Sequence, residues 1–92
     1  MAKHLHIVGV VQGVGYRAAF ARKAAALKLS GWVRNRADGS VEAMVAGATN
    51  ALDQITDWAR RGPADARVHA VSITDAADLI VATGRFEILP TE

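Results

Sequence analysis

The stretch Val11-Gln12-Gly13-Val14-Gly15-Tyr16-Arg17 joins two segments of different periodicity, and the order of elements can be read outward from it. Ahead of it, Leu5 to Val10 sits in a run that alternates with period two, as a half-buried strand does. Behind it, Ala18 to Leu27 is dense in alanine. Its apolar stripe of Ala19 or Phe20, Lys23 or Ala24, and Leu27 predicts a helix. Gly13 and Gly15 permit positive φ, so the connection can turn sharply and aim several N–H groups at one point. Together with a helix N-terminus, those groups make an anion site. Arg17 falls in the first turn, where a cation opposes the helix macrodipole at a cost of about 0.3–1 kcal/mol. An anion held between the amides and the guanidinium removes that conflict. Spacing alone equally allows a plain strand-to-helix turn with a solvated Arg17. The Gly-Lys-Ser/Thr ending of a Walker loop and the third glycine of a dinucleotide loop are both lacking.

A chain of 92 residues with 51% hydrophobic residues predicts one globular domain spanning residues 1–92. With no cysteine, it has no disulfide, no thiolate nucleophile and no zinc site built on sulfur. No run approaches the length of a membrane span, and the first residues lack a continuous apolar signal segment. The expectation is a soluble cytoplasmic protein with no membrane partner. The net charge is +2, and the basic residues are scattered, with no run longer than Arg60-Arg61. Five aromatic residues are too few for a base-stacking platform, and no nucleic-acid partner is expected.

In the first strand, Leu5 and Ile7 should face the core, with His4 and His6 on the other face. Two histidines at i and i+2 could ligate a metal, but no third ligand is evident; surface histidines are the simpler reading. Lys28 stands where a helix often ends in a left-handed glycine, so the turn is expected slightly later, at Ser30-Gly31. Trp32–Arg36 and Val41–Ala46 read as strands joined by Ala37-Asp38-Gly39-Ser40. Asp-Gly is a strong hairpin signal. Thr49 or Asn50 is the expected cap of a second helix, with Asp53 in its first turn and Leu52, Ile55 and Ala59 buried. Gly62-Pro63 should close it. Ala66–Thr74 reads as a fourth strand whose period breaks between Val68 and Val71, predicting a bulge near His69-Ala70. Asp75–Thr83 is a connection, and Arg85–Leu89 a short last strand.

The order is β-α-β-β-α-β plus a terminal strand. That is an α+β, ferredoxin-like two-layer sandwich: a mostly antiparallel sheet with two helices on one face. Right-handed crossovers make the first two strands parallel, with the third between them. The Gln12–Arg17 loop and Asn35 then emerge at one sheet edge, two strand spacings or roughly 10 Å apart. Asn35 alone reads as a residue preceding a turn. Beside an anion cradle, its carboxamide can hold a water by hydrogen bonds.

At this point the chain resembles the acylphosphatase family. The likeness runs from about residue 3 to residue 89 and rests on two blocks. These are Gly9-Val10-Val11-Gln12-Gly13-Val14-Gly15-Tyr16-Arg17 and Gly31-Trp32-Val33-Arg34-Asn35-Arg36-Ala37-Asp38-Gly39-Ser40-Val41-Glu42. Weaker agreement comes from Gly62-Pro63, Ala66-Arg67-Val68 and Gly84-Arg85-Phe86. The resemblance implies hydrolysis of an acyl phosphate to carboxylate and phosphate, without metal or cofactor. It implies that Arg17 binds the phosphate together with the backbone amides of Gly13, Val14, Gly15, Tyr16 and Arg17. It also implies that Asn35 positions the attacking water. Tyr16 stands where phenylalanine is common, and Lys28 where glycine is usual. With no histidine or carboxylate in the cradle or beside Asn35, the substrate's own phosphate is expected to take the water's proton. The expected partners are a small acyl phosphate and inorganic phosphate, and a monomer is expected. The rival readings are a phosphate-binding or regulatory module without turnover and, further off, an RNA-binding sheet. A longer maturation protein with this domain at its start is a third; the single-domain length favours a free-standing enzyme.

Overall fold

The computed structural model describes residues 1–77 and 84–92. Its elements in chain order are β1 (Ala2–Val10), α1 (Tyr16–Ala26), β2 (Ser30–Asn35), β3 (Val41–Ala46), α2 (Thr49–Arg61), β4 (Arg67–Ala76) and β5 (Phe86–Ile88). The sheet order is β4-β1-β3-β2-β5. β3 is antiparallel to both β1 and β2, so β1 and β2 run parallel with β3 between them. β5 adds in parallel on the outer side of β2 and is an edge strand, as is β4. This is the ferredoxin-like sandwich expected from the element order.

Period two decides which face of the sheet is covered. Leu5 and Ile7 of β1 are fully buried, as are Val33 of β2 and Val41, Ala43 and Val45 of β3. Helix α1 brings Phe20 and Ala24 onto this face over β2 and β5, and α2 brings Leu52, Ile55 and Ala59 over β1 and β4. Aromatic rings stitch the two helices together. Tyr16 and Trp58 have centroids 5.4 Å apart, and Phe20 lies 5.8 Å from Trp58 and 5.7 Å from Phe86. The bulge falls where the broken period put it. Val8 pairs with Ala70 and Gly9 with Val68, which leaves His69 as the extra residue.

Three local details differ from expectation. The turn after α1 is made by Lys28 itself, at φ 61°, rather than by Ser30-Gly31. The Leu29 N–H donates to Ala24 O and the Lys28 N–H to Ala25 O, both at 3.0 Å, a Schellman ending. These bonds hold a lysine in a conformation glycine would take more easily. Helix α2 starts one residue early, so Ala48 is its cap residue and no side chain caps it. The Thr49 hydroxyl contacts Met1 Sδ instead, at 3.3 Å, and Asp53 lies beyond the first turn. Asp75 and Ala76 belong to β4 rather than to a connection; residues 78–83 of that expected connection lie outside the described residues. No helix among the described residues is long and apolar enough to cross a membrane.

Candidate active site

The loop from Val11 to Gly15 is anchored at both ends by burial. Val11 is buried, Val14 packs against the core, and Tyr16 is buried at the start of α1. Between these anchors Gly13 and Gly15 are left-handed, with φ of 74° and 77°. Among the described residues other than their chain neighbours, nothing lies within 4 Å of where a Cβ would sit on either, so the described surroundings are open as well as the backbone unusual. Gly15 is the cap residue of α1 and offers no side-chain acceptor, and the first turn holds no acidic residue. The first N–H groups of a helix have no intrahelical partner. Here no described backbone acceptor takes the N–H groups of residues 13 to 18. Those of Tyr16, Arg17 and Ala18 belong to the positive N-terminal end of α1, and those of residues 13 to 15 lie in the loop that leads into it.

Arg17 follows in that first turn. It is half-buried, and no ion pair to it is found among the described residues, although most other basic groups near the sheet are paired. Like-signed charge at the helix N-terminus therefore goes uncompensated within the described protein.

Asn35 closes β2. It pairs in register with the buried Val41 and shares the parity of Val33, so it belongs to the helix-covered face at the end of the strand that opens toward the loop. Its backbone is held on both sides. β3 lies on one side, and on the other the Glu92 N–H donates to Asn35 O at 3.0 Å while the Ala37 N–H donates to Glu92 O at 2.8 Å. The Asn35 Oδ1 atom is buried and has no hydrogen-bond partner among the described residues. An unpaired buried acceptor costs about 1–3 kcal/mol, so this carboxamide is suited to a small polar group brought in from solution.

The two elements meet in one cleft of about 220 Å³. Gly13, Gly15, Tyr16, Arg17 and Asn35 line it, together with Gln12, Val11, Ala18 and Ile88. Val14 does not; its side chain turns to the core, which leaves only its backbone for the loop. Gln12 is the brace between the halves. Its Nε2 donates to Arg36 O at 2.8 Å and to Ser40 O at 2.9 Å, tying the loop to the β2–β3 hairpin. Composition and periodicity gave no sign of this, because both acceptors are backbone carbonyls distant in sequence. Ile88 was equally hidden, as it reaches the cleft only through the pairing of β5 with β2.

Among the described residues, no carboxylate or imidazole lines the cleft. Burial pushes the Tyr16 phenol well above its ordinary range, and its hydroxyl donates to Ala59 O at 2.8 Å, so it stays protonated and occupied. His4 lies on the opposite, open face of the sheet, where its Nε2 is 2.6 Å from Glu42 Oε2. Arg34 and Arg36 also donate to Glu42, at 2.8 and 3.0 Å. Burial raises the Glu42 carboxyl, but the three donors more than offset it and hold it at about 2. Among the described residues, no three histidines or carboxylates are grouped as metal ligands.

The sequence pattern of the acylphosphatase family matches residues 3–88. An acylphosphatase of Azoarcus sp. is 50% identical over 90 residues, which is 98% of this chain and 90% of that one. A crystal structure of acylphosphatase from Bacillus subtilis shares the fold at a TM-score of 0.87 and 34% identity, over 97% of this chain and 99% of that one. The structure of an acylphosphatase from Coxiella burnetii agrees at a TM-score of 0.89 and 31% identity, over 96% and 90% of the two chains. The chain belongs to the acylphosphatase family of hydrolases.

Proposed function

We propose that this cleft hydrolyses small acyl phosphates to carboxylate and inorganic phosphate, with Arg17 and the loop amides holding the phosphoryl group and Asn35 holding the water. The observation that carries the reading is the meeting, in one cleft, of three features that no described residue satisfies: N–H groups with no described backbone acceptor, an arginine with no ion-pair partner among the described residues, and a buried carboxamide oxygen with no described hydrogen-bond partner. The first two call for an anion with several oxygens, and the third for a small hydrogen-bond donor.

The chemistry asks little more. The carboxylate of an acyl phosphate is a good leaving group, so positioning and charge stabilisation supply most of what is needed. The amides of Gly13, Val14, Gly15, Tyr16 and Arg17 surround the phosphoryl oxygens, and the guanidinium adds charge-assisted hydrogen bonds. Water accepted at Asn35 Oδ1 attacks phosphorus. The bond from phosphorus to the bridging oxygen breaks, and its electron pair leaves on the carboxylate. The water's proton passes to a non-bridging phosphoryl oxygen, because no carboxylate or imidazole among the described residues of the cleft can receive it. Turnover by this route varies little with enzyme ionisation across neutral pH. All of these residues come from one chain, so a monomer suffices.

The test is hydrolysis of benzoyl phosphate by the purified protein treated with chelator, beside Arg17→Gln and Asn35→Ala, each checked for folding by circular dichroism. Turnover by the wild type that falls at least a hundredfold in both folded variants is the expected result. Full activity in Asn35→Ala would remove the water-holding role and leave the cradle. Phosphate binding without turnover by the wild type would make the site a binding module.

A further inference from the structure

With the polar groups of the cleft assigned, one part of its lining is left without a task. Ile88 is 48% exposed, although Val11 and Tyr16 beside the same cleft are each only 1% exposed. Its exposure is not a loose end of the chain. β5 is fixed to β2 by the register Val33↔Ile88, and the Leu89 N–H donates to Val33 O at 2.9 Å. Phe86, two residues earlier and on the same face, is packed against Phe20 under α1. Ile88 is the next step along that face, past the beginning of the helix, and so emerges at the cleft. Its register partner Val33 lies two residues before Asn35, and Ile88 and Asn35 line the same cleft. Ala18, exposed on the first turn of α1, also lines the cleft.

The charge of the cleft points the same way. Arg17 is the one cation lining it among the described residues, and in the proposed reading that cation is taken up by the phosphoryl group. Among the described residues of the lining, no second cation remains to pair with another anionic group.

We infer that Ile88 is a specificity-determining residue: with Ala18 it forms an apolar rest for the acyl group, selecting acyl phosphates with an apolar acyl portion over those that are very small or carry a second carboxylate. This rests on the placement of the phosphoryl group at Arg17 and the loop amides. An apolar acyl group covers aliphatic surface that otherwise faces water, and the gain scales with the area covered. A substrate such as acetyl phosphate has little to cover, and one such as succinyl phosphate brings a carboxylate against hydrocarbon at a desolvation cost.

The experiment compares kcat/KM for benzoyl, acetyl and succinyl phosphate in the wild type, Ile88→Val, Ile88→Ala and Ile88→Arg, with inhibition by inorganic phosphate measured in each. The wild type should prefer benzoyl phosphate. The benzoyl-to-acetyl ratio should fall about five- to tenfold in Ile88→Ala and by an intermediate factor in Ile88→Val, following the carbon atoms removed. Ile88→Arg should raise succinyl phosphate relative to benzoyl phosphate. A ratio unchanged across the series, with both substrates falling together or neither falling, would overturn the assignment. Ile88→Val is the mildest change and keeps the comparison available if Ile88→Ala folds poorly. Loss of phosphate inhibition in Arg17→Gln keeps the two readings separable. If that variant is inhibited like the wild type, the phosphoryl placement fails; if it is not, but the ratio ignores Ile88, only the acyl rest fails.

Discussion

Removing a single oxygen atom, in Tyr16→Phe, tests how the start of the candidate site is tied to the rest of the fold. In an α-helix the carbonyl of residue i accepts from the N–H of residue i+4. For Ala59 that residue is Pro63, which has no N–H. The helix ends just before it, with Gly62 at φ 66° and its N–H donating to Trp58 O at 2.8 Å. The Ala59 carbonyl is therefore left over, and the Tyr16 hydroxyl fills the gap from another element at 2.8 Å. Gly62 makes room for it, since a Cβ there would come within 2.9 Å of Tyr16 Cε2. Tyr16→Phe keeps the ring and its contact with Trp58 but leaves the carbonyl without its donor. The cost of such an orphan is about 1–3 kcal/mol, reduced by the hydroxyl no longer needing burial, so a loss of about 1–2 kcal/mol is expected. In a domain of this size that lowers Tm by about 4–16 °C.

The same hydroxyl fixes the pH dependence of that difference. Burial raises the folded-state pKa of Tyr16 above its ordinary 10, so the folded state favours the protonated phenol. Its contribution is fully present below pH 10 and is lost as pH climbs above it toward the raised folded value. The assay is urea unfolding of both proteins at neutral pH and at increasing pH above 10, alongside tyrosinate absorbance, which reports Tyr16 alone because the chain has one tyrosine. The stability gap should close with alkalinity, and ionisation should coincide with unfolding. A variant as stable as the wild type at neutral pH, or a phenol that titrates normally in the folded protein, would refute the reasoning.

Two further predictions concern the supports around the site. Glu42 on the open sheet face is held at about 2 against an ordinary 4.5 by His4, Arg34 and Arg36, with Glu92 also within 3.3 Å of Arg34. Its carboxylate should contribute about 1–3 kcal/mol that is present above pH 4.5 and lost as pH falls toward 2, so urea unfolding of wild type and Glu42→Gln should converge over that interval. Gln12→Met removes two hydrogen bonds that brace the loop against the hairpin. Because Arg36 O and Ser40 O each keep a backbone donor, the stability loss should be only about 1 kcal/mol. Loss of alignment between cradle and Asn35 should nevertheless lower kcat roughly 10–100-fold with a smaller change in phosphate inhibition. An unaltered kcat in a destabilised Gln12→Met would show that the brace serves the fold alone.

Much of this architecture is legible in the order of residues along the chain. The alternation around Leu5 and Ile7, the Asp38-Gly39 turn and the broken period at Val68 each depend on neighbours in the chain. Each led to the right element, and the last led to the bulge at His69. The ends of helices were harder. Whether Lys28 or Ser30-Gly31 makes the turn depends on whether Ala24 and Ala25 can accept the returning N–H groups, and whether Thr49 caps α2 depends on where Met1 lies.

The sequence by itself determined the parts of the candidate site that are local: a glycine-bearing loop that opens a helix, with an arginine in its first turn. It also carried Asn35 to the same sheet edge, because period and crossover handedness are local rules with long-range consequences. What lies across the cleft was decided only by the tertiary structure. Gln12 reaches backbone carbonyls of the hairpin, the Tyr16 hydroxyl meets a carbonyl that Pro63 cannot serve, and Ile88 arrives by the pairing of a three-residue edge strand. These contacts leave little pattern in the chain, since a backbone carbonyl is the same for every residue and an isoleucine at an edge reads like any other. They exist because the packed core fixes where each element ends.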